Sequence, residues 1–242
     1  MSIRIFQKGF NFSQDGPGNR LVYHLQGCNL RCPWCANPEG LEHCGGEMYT
    51  MNELVDEVSR SRMLFFDGGG VTLTGGEVTM QFDAVKELLS TLHEQGIHTC
   101  IETNGVFKRL PELFPVLDML IMDIKHYDER IHEKITGVPN TITIQNIKEA
   151  CDVNQKLALR IPLIGGFNAS EKDAYGFVEL FSKLDFGSDV TIELLTYHEY
   201  GKDKYASLGM EYTMTEKAYV SKEQRNQFSK ILQDAGFHLI KT

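Results

Sequence analysis

Three cysteines fall within eight residues near the start of the chain. Cys28, Cys32 and Cys35 form a C-x3-C-x2-C pattern. Three thiolates on one loop can each bind a different iron of a [4Fe-4S] cluster, which leaves the fourth iron open to another ligand. The alternative is a structural zinc site with Cys44 as its fourth ligand, because sites of four cysteines also use short spacings. The second C-x2-4-C half that is usual in zinc sites is missing, so the spacing favours a cluster.

A glycine-rich stretch, GGGVTLTGGE, ends at Gly75, Gly76 and Glu77. Glycines at the end of a strand let the backbone approach a ligand closely. The carboxylate of Glu77 can accept a hydrogen bond from an ammonium group. A tight turn without any ligand would explain the glycines equally well.

Further polar residues come at or near the ends of apolar segments. Glu102, in ETNG, could ligate a cation or accept a hydrogen bond from a ribose, although a helix N-cap followed by a turn is an equal alternative. Asp123 and Lys125 lie two residues apart, so both can face one pocket or pair with each other. Arg160 could bind a carboxylate. His198, one of eight histidines, follows the last of these segments.

The elements that must position these residues alternate along the chain. Short runs of β-branched and apolar residues predict strands at residues 20–26, 70–74, 98–103, 117–123, 156–162 and 190–195, with another in the terminal FHLIK. Apolar spacings of three and four predict helices between them. Repeated β-then-α units favour an α/β fold, a partial (β/α)6 barrel of parallel strands with outer helices. Residues at the carboxyl ends of such strands are expected to form one site.

The composition of the chain, 242 residues with 42% hydrophobic and 24% charged, predicts a single globular domain over residues 1–242. The net charge of −9 argues against unselective binding to nucleic acid or to an anionic membrane. No apolar run is long enough for a signal peptide or a membrane span, so we expect a cytoplasmic protein. There the six cysteines are expected to be ligands, catalytic groups or packed thiols rather than disulfides.

The cysteine spacing, with Trp34 directly before the last cysteine, resembles the signature of the radical S-adenosylmethionine (SAM) enzymes. In that superfamily the open iron binds SAM, and one electron from the cluster cleaves SAM to methionine and a 5′-deoxyadenosyl radical. The resemblance implies that Lys125 and Arg160 bind the SAM carboxylate, that His198 contacts the adenosine, and that GGE binds the amino group. The residues it assigns to cofactor binding are Trp34, Ala36, Gly75, Gly76, Glu77, Glu102, Asp123, Lys125, Arg160 and His198, and the metal ligands are Cys28, Cys32 and Cys35.

The resemblance covers almost the whole chain. Within the superfamily it is most specific for the glycyl-radical-enzyme activases. It is carried by DGPG at residues 15–18, GGGVTLTGGE, CIETNG, DIK, ITGVPN and IELLTYHEYGKDKY. It implies an anaerobic oxidoreductase that removes a hydrogen atom from a backbone glycine of a partner enzyme such as pyruvate formate-lyase. Asp15 and Gly16 would hold the partner's glycine loop, so these are the expected substrate-binding residues.

The same resemblance implies flavodoxin or ferredoxin as electron donor, a monovalent cation near Glu102 and Asp123, and a monomer. Asn37-Pro38-Glu39 and RIPLIGGFN resemble larger activases that carry a ferredoxin-like insert. Here about ten residues with one cysteine separate Gly40 from the next helix, so no insert and no second cluster are expected. Two alternatives stay open: a radical SAM enzyme acting on a small molecule such as a deazapurine precursor, and a zinc-binding interaction module.

Overall fold

The computed structural model describes residues 1–240, which divide into two compact units. Unit 1 consists of Met1–Asn29, Glu39–Thr103 and Phe107–Ile121. Unit 2 consists of Leu30–Pro38, Asn104–Val106 and the chain from Met122 onward. The single domain expected over residues 1–242 stays a prediction.

Strands and helices alternate along most of the chain. The strands are β1 (Ser2–Phe12), β2 (Asn19–Leu25), β3 (Glu47–Thr50), β4 (Gly70–Gly75), β5 (His98–Thr103), β6 (Met119–Asp123), β7 (Leu157–Leu163), β8 (Val190–Thr196) and β9 (Leu239–Ile240). The α-helices are α1 (Met51–Ser61), α2 (Phe82–Glu94), α3 (Glu129–Thr136), α4 (Thr141–Asp152), α5 (Glu171–Phe181), α6 (Lys202–Ser207) and α7 (Lys222–Asp234). Short 3₁₀ helices occupy Pro38–Gly40, Arg62–Leu64, Val78–Gln81, Leu110–Val116 and Glu216–Ala218.

In unit 1 the strands lie in the order β3, β1, β2, β4, β5, followed by the first residues of β6. Strand β1 is antiparallel to β2 and β3, whereas β2, β4 and β5 are parallel. The register pairs Val22 with Thr72 and Thr72 with Cys100, so these side chains share one face of the sheet. Helix α1 lies on the opposite face, where Tyr23 donates a hydrogen bond to Glu57 at 2.9 Å.

In unit 2 the last residues of β6 are followed in the sheet by β7, β8 and β9. Strands β7, β8 and β9 are parallel. Helices α5 and α7 pack against each other, and the ring of Phe177 lies 5.7 Å from that of Phe181 and 6.0 Å from that of Phe228. These three buried rings form part of the core of this unit.

The α/β class, with parallel strands followed by helices, is confirmed. Each of the six predicted strands occurs within about two residues of its predicted bounds, and β9 lies in the terminal FHLIK. Strands β1 and β3 were not predicted. Strand β1 buries Ile3 and Ile5 but exposes Gln7, Lys8 and Gly9, so it lacks the continuous apolar run of a strand that is buried on both faces. Within residues 1–240, no helix is long and apolar enough to cross a membrane.

Candidate functional site

The second and third cysteines of the triad lie in unit 2, on the segment Leu30–Pro38. Cys32 is buried and Cys35 is half-buried. The amide of Cys35 donates to the carbonyl of Cys32 at 3.1 Å, which closes a tight turn between the two thiols. The amide of Arg31 donates to the carbonyl of Thr136 at 2.8 Å, so the start of the cysteine loop is tied to the end of α3.

The start of α6 packs directly against this loop. A Cβ atom on Gly201 would lie 2.2 Å from the carbonyl oxygen of Cys35, so only glycine allows this approach. Tyr205, in α6, is buried. Burial, together with the negative charge of Cys35 and Cys32, raises the pKa of Tyr205 to about 12. The GKDKY motif therefore encloses one side of the cysteine loop.

Trp34 anchors the loop through its ring. Its centroid lies 4.9 Å from that of Phe167, and the two rings pack against a small buried cluster of Ile164, Tyr197 and Ala218. Ala36 is half-buried in the same loop. The ammonium of Lys204 donates to Asn37 Oδ1 at 2.9 Å. The loop is thus held by apolar packing around Trp34 and by a hydrogen bond at its far end.

Cys28 lies in unit 1, just beyond the end of β2, and is half-buried. Its amide donates to the carbonyl of Leu41 at 3.2 Å, and the amide of Gly27 donates to the carbonyl of Gly40 at 2.9 Å. The chain beyond the cysteine loop therefore returns to the end of β2. Cys44, the fourth ligand of the zinc alternative, is exposed in this returning segment.

The GGE turn of unit 1 is tied to the end of β2 as well. The amide of Gly76 donates to the carbonyl of Leu25 at 2.9 Å, and the amide of Glu77 donates to the carbonyl of Gly27 at 2.7 Å. Gly75, at the end of β4, pairs with Leu25 in the sheet. The three residues therefore form a turn that is hydrogen-bonded to the segment leading into Cys28.

The Glu77 side chain is completely buried. Its Oε1 accepts hydrogen bonds from the amide of Thr79 at 3.0 Å, from Thr79 Oγ1 at 2.7 Å and from Thr103 Oγ1 at 2.7 Å. This oxygen therefore caps the short helix Val78–Gln81 and fixes the GGE turn. The predicted hydrogen bond between Glu77 and a ligand ammonium stays a prediction.

Two further predicted residues of unit 1 have defined partners. Glu102 is half-buried and accepts a hydrogen bond from Thr74 Oγ1 at 3.1 Å. Asp15 is half-buried and accepts a hydrogen bond from Asn11 Nδ2. Gly16 has φ +119, in the left-handed region.

The two cations of unit 2 that were predicted to bind a carboxylate are held in ion pairs. Lys125 Nζ lies 2.9 Å from Asp123 Oδ2, which is the mutual pairing that their spacing allows. Arg160 lies in the middle of β7 rather than at its end, and its Nε donates to Glu193 Oε2 at 2.7 Å. Sequence reasoning missed Glu193; the signal was an acidic residue inside the apolar run VTIELL, opposite Arg160 in the register.

His198 follows β8 and is exposed. Its ring stacks on Tyr200, with centroids 4.0 Å apart and an interplanar angle of 23°. The amide of Tyr200 donates to His198 Nδ1 at 3.4 Å. Desolvation of the ring lowers the pKa of His198 below its ordinary value, which favours the neutral imidazole that this hydrogen bond to Nδ1 requires.

The predicted site residues are divided between the two units. Unit 1 contains Asp15, Gly16, Cys28, Gly75, Gly76, Glu77 and Glu102, and unit 2 contains Cys32, Trp34, Cys35, Ala36, Asp123, Lys125, Arg160 and His198. The roles assigned to them by resemblance stay predictions.

The chemistry of the three predicted ligands, Cys28, Cys32 and Cys35, fits an iron–sulfur cluster. Three thiols are soft ligands that suit iron–sulfur clusters. Within residues 1–240, no three His, Cys, Asp or Glu side chains are grouped so as to hold a single metal ion. A cluster does not need such a group, because each cysteine binds a different iron.

Known sequences resemble the chain over most of its length. The sequence profile of the radical SAM superfamily matches residues 22–178. The chain is 34% identical over 227 residues to the pyruvate formate-lyase 1-activating enzyme of Escherichia coli (strain K12), with 92% of each chain covered. It is 32% identical to the choline trimethylamine-lyase activating enzyme of Oleidesulfovibrio alaskensis, with 82% of this chain and 84% of the relative covered. A 4-hydroxyphenylacetate decarboxylase activating enzyme of Clostridioides difficile is 30% identical, with 92% and 90% covered.

Solved structures share the fold. A domain of pyruvate-formate lyase-activating enzyme from Bacteroides vulgatus gives a TM-score of 0.59 at 28% identity, covering 72% of this chain and 98% of that one. A radical SAM methyltransferase from Sphaerobacter thermophilus gives a TM-score of 0.67 at 16% identity, covering 99% and 76%. Family membership implies a [4Fe-4S] cluster and SAM as cofactors and a glycyl radical enzyme as partner. The chain belongs to the radical SAM superfamily and, within it, to the oxidoreductases that activate glycyl radical enzymes.

Proposed function

We propose that this protein activates a partner such as pyruvate formate-lyase by removing a hydrogen atom from one backbone glycine. The three cysteines of the triad carry the proposal, because thiols suit an iron–sulfur cluster. The main chain at Cys35 is closely packed against Gly201. The similarity to the pyruvate formate-lyase 1-activating enzyme over 92% of the chain supports this choice of partner.

The chain's own residues would bind and shield the cofactors. When bound, the cluster and SAM supply the electron and the 5′-deoxyadenosyl radical that the hydrogen abstraction needs. Cys28, Cys32 and Cys35 would hold the cluster. Trp34, packed on Phe167, would shield one side of the loop from water.

SAM would be bound by residues that the structure already holds in place. The ion pair with Asp123 keeps the ammonium of Lys125 in one position, and Glu193 does the same for the guanidinium of Arg160. Both cations are suited to the SAM carboxylate. His198 would contact the adenosine. We also propose that a monovalent cation binds near Glu102 and Asp123. Flavodoxin or ferredoxin would supply the electron.

The proposal is tested by anaerobic reconstitution of the protein with iron, sulfide and SAM. We expect about four irons per chain. Cys28→Ala, Cys32→Ala and Cys35→Ala should each lose the cluster, whereas Cys100→Ala and Cys151→Ala, which alter buried thiols outside the triad, should keep it. Equal losses in all five variants, or zinc bound without iron, would contradict the assignment.

The partner is tested with three purified proteins: pyruvate formate-lyase, choline trimethylamine-lyase and 4-hydroxyphenylacetate decarboxylase. Electron paramagnetic resonance should detect a glycyl radical in at least one of them after incubation with the reconstituted protein, SAM and a reductant. SAM cleavage that depends on a small metabolite, with no radical in any of the three, would instead support the small-molecule alternative.

A further inference from the structure

Arg20 is an arginine without exposed surface in unit 1. It is the second residue of β2 and follows the DGPG loop, residues 15–18. Arginine is almost never fully buried unless its donors are paired, because removing its charge from water is costly. Burial lowers the pKa of Arg20, yet an arginine side chain stays protonated in proteins. A buried positive charge at this point therefore needs an explanation.

The guanidinium is bound from several sides. Its Nε donates to Thr72 Oγ1 at 2.7 Å. Its Nη2 donates to the carbonyls of Val71 at 2.6 Å and His98 at 3.3 Å, which fixes the group against β4 and β5. Its Nη1 donates to the carbonyl of Pro17 at 3.1 Å, inside the DGPG loop. One side chain thus joins the loop to two strands of the parallel sheet.

Thr72 makes a second connection to the same loop. Its hydroxyl accepts the hydrogen bond from Arg20 and donates its own hydrogen to the carbonyl of Asp15 at 2.6 Å. Next to this connection, a Cβ atom on Gly16 would lie 3.4 Å from Cys100 Sγ, so the loop rests on the sheet face that carries Thr72 and Cys100. The carbonyls of both Asp15 and Pro17 are therefore held by one buried Arg–Thr pair.

Such a connection matters because the loop contains two glycines. Gly16 and Gly18 both have positive φ, at +119 and +66, and glycine loses more conformational freedom on ordering than any other residue. Ordering one residue costs about 1–2 kcal/mol. Hydrogen bonds to a charged donor offset part of this cost in the folded protein. A loop that is already ordered binds its ligand without that further entropic cost.

We propose that Arg20 and Thr72 are positioning residues that hold the DGPG loop in the conformation that binds the partner's glycine segment. The proposal rests on the proposed function and on the predicted substrate-binding role of Asp15 and Gly16, since it takes the substrate to be a protein segment. With its main chain fixed, the loop presents the carboxylate of Asp15, whose Oδ2 already accepts a hydrogen bond from Asn11, as an acceptor for peptide N–H groups. Binding of the partner's glycine segment then depends on the geometry of the DGPG loop, which Arg20 and Thr72 determine from outside the loop.

The test compares Thr72→Val with Thr72→Ser in the reconstituted protein. Valine keeps the shape of threonine but removes the hydroxyl, whereas serine keeps the hydroxyl and removes the methyl group. The first measurement is hydrogen exchange at the amide of Ser13, which donates to the carbonyl of Gly18 at 3.0 Å across the loop. We expect exchange about tenfold faster in Thr72→Val and close to wild type in Thr72→Ser.

The second measurement is activation kinetics with whichever of the three glycyl radical enzymes the wild-type protein activates. In Thr72→Val the KM for that protein should rise about tenfold, while kcat should change much less. Thr72→Ser should restore the wild-type KM. A merely structural role for Thr72 would instead lower the amount of folded, cluster-loaded protein and leave KM unchanged.

Two results would overturn the proposal. Wild-type exchange at Ser13 in Thr72→Val would show that the hydroxyl does not hold the loop. A KM that is unchanged in Thr72→Val, or equally raised in Thr72→Ser, would show that the hydroxyl does not serve partner binding. Failure of the proposed function would look different, because the wild-type protein would then produce no glycyl radical in any of the three enzymes.

Discussion

Replacing Glu193 by glutamine removes the counter-charge of a buried arginine. Arg160 and Glu193 face each other on β7 and β8 with side chains only 7% and 3% exposed. In Glu193→Gln the amide oxygen can still accept the hydrogen bond from Arg160 Nε, which is 2.7 Å long in the wild-type protein. The guanidinium charge, however, stays buried without its carboxylate.

The expected loss follows from this burial. Removing one partner of a buried ion pair costs about 3–5 kcal/mol, because the remaining charge is uncompensated. Since glutamine keeps one acceptor, we expect a loss near the lower end of this range, about 3 kcal/mol.

The matched control is Glu179→Gln, which removes the same charge from an exposed ion pair. The side chains of Glu179 and Lys183 are 75% and 66% exposed. Exposed pairs contribute little, so this variant should unfold like the wild-type protein.

Equilibrium unfolding in urea, followed by circular dichroism, measures both variants. With a urea dependence of about 3 kcal/mol per molar, a loss of about 3 kcal/mol lowers the midpoint by about 1 M. Because Arg160 is also proposed to bind the SAM carboxylate, Glu193→Gln should weaken SAM binding as well. Equal midpoints for Glu193→Gln and Glu179→Gln would refute the argument from burial.

Gly18→Ala should lower the thermal unfolding midpoint much more than Gly209→Ala. The two glycines have nearly equal φ values, +66 and +67. A Cβ atom on Gly18 would lie 2.3 Å from the carbonyl oxygen of Phe66, whereas a Cβ atom on Gly209 would meet nothing within 4 Å. Equal unfolding midpoints for the two variants would contradict this steric argument. Burial raises the pKa of Cys151 to about 11, so about one thiol in a thousand is ionised at pH 8. Iodoacetamide should therefore alkylate Cys151 far more slowly than the exposed Cys44, and similar rates by mass spectrometry of the native protein would refute that expectation.

Much of the parallel sheet could be predicted from local sequence. Strands β4 and β7 are buried along almost their whole length, and strands of this kind read as near-continuous apolar runs. Helix α2 was predictable from the three- and four-residue spacing of its buried residues Phe82, Val85, Leu89 and Leu92. Strand β1 could not be found in this way, because its second half is exposed and its pairing with β2 depends on a distant partner.

The candidate site was predictable to the extent that its chemistry is local. The pairing of Asp123 with Lys125 was one of two alternatives that their spacing left open, because only one residue separates them. The partner of Arg160 was not anticipated, since Glu193 lies 33 residues away and meets it only through the register of β7 and β8. The role of Glu77 Oε1 was also missed, because one of its donors, Thr103, lies on a different strand.

By itself, the amino-acid sequence indicated which ligand chemistry to expect of this protein. The spacing of Cys28, Cys32 and Cys35 is a covalent property of eight residues, and it indicates an iron–sulfur site before any folding is considered. Only the tertiary structure decided which buried charge meets which partner. The hydroxyl of Thr72 reaches the carbonyl of Asp15 across 57 residues of chain. Strand register sets such contacts, and register depends on the packing of the whole sheet rather than on any local pattern.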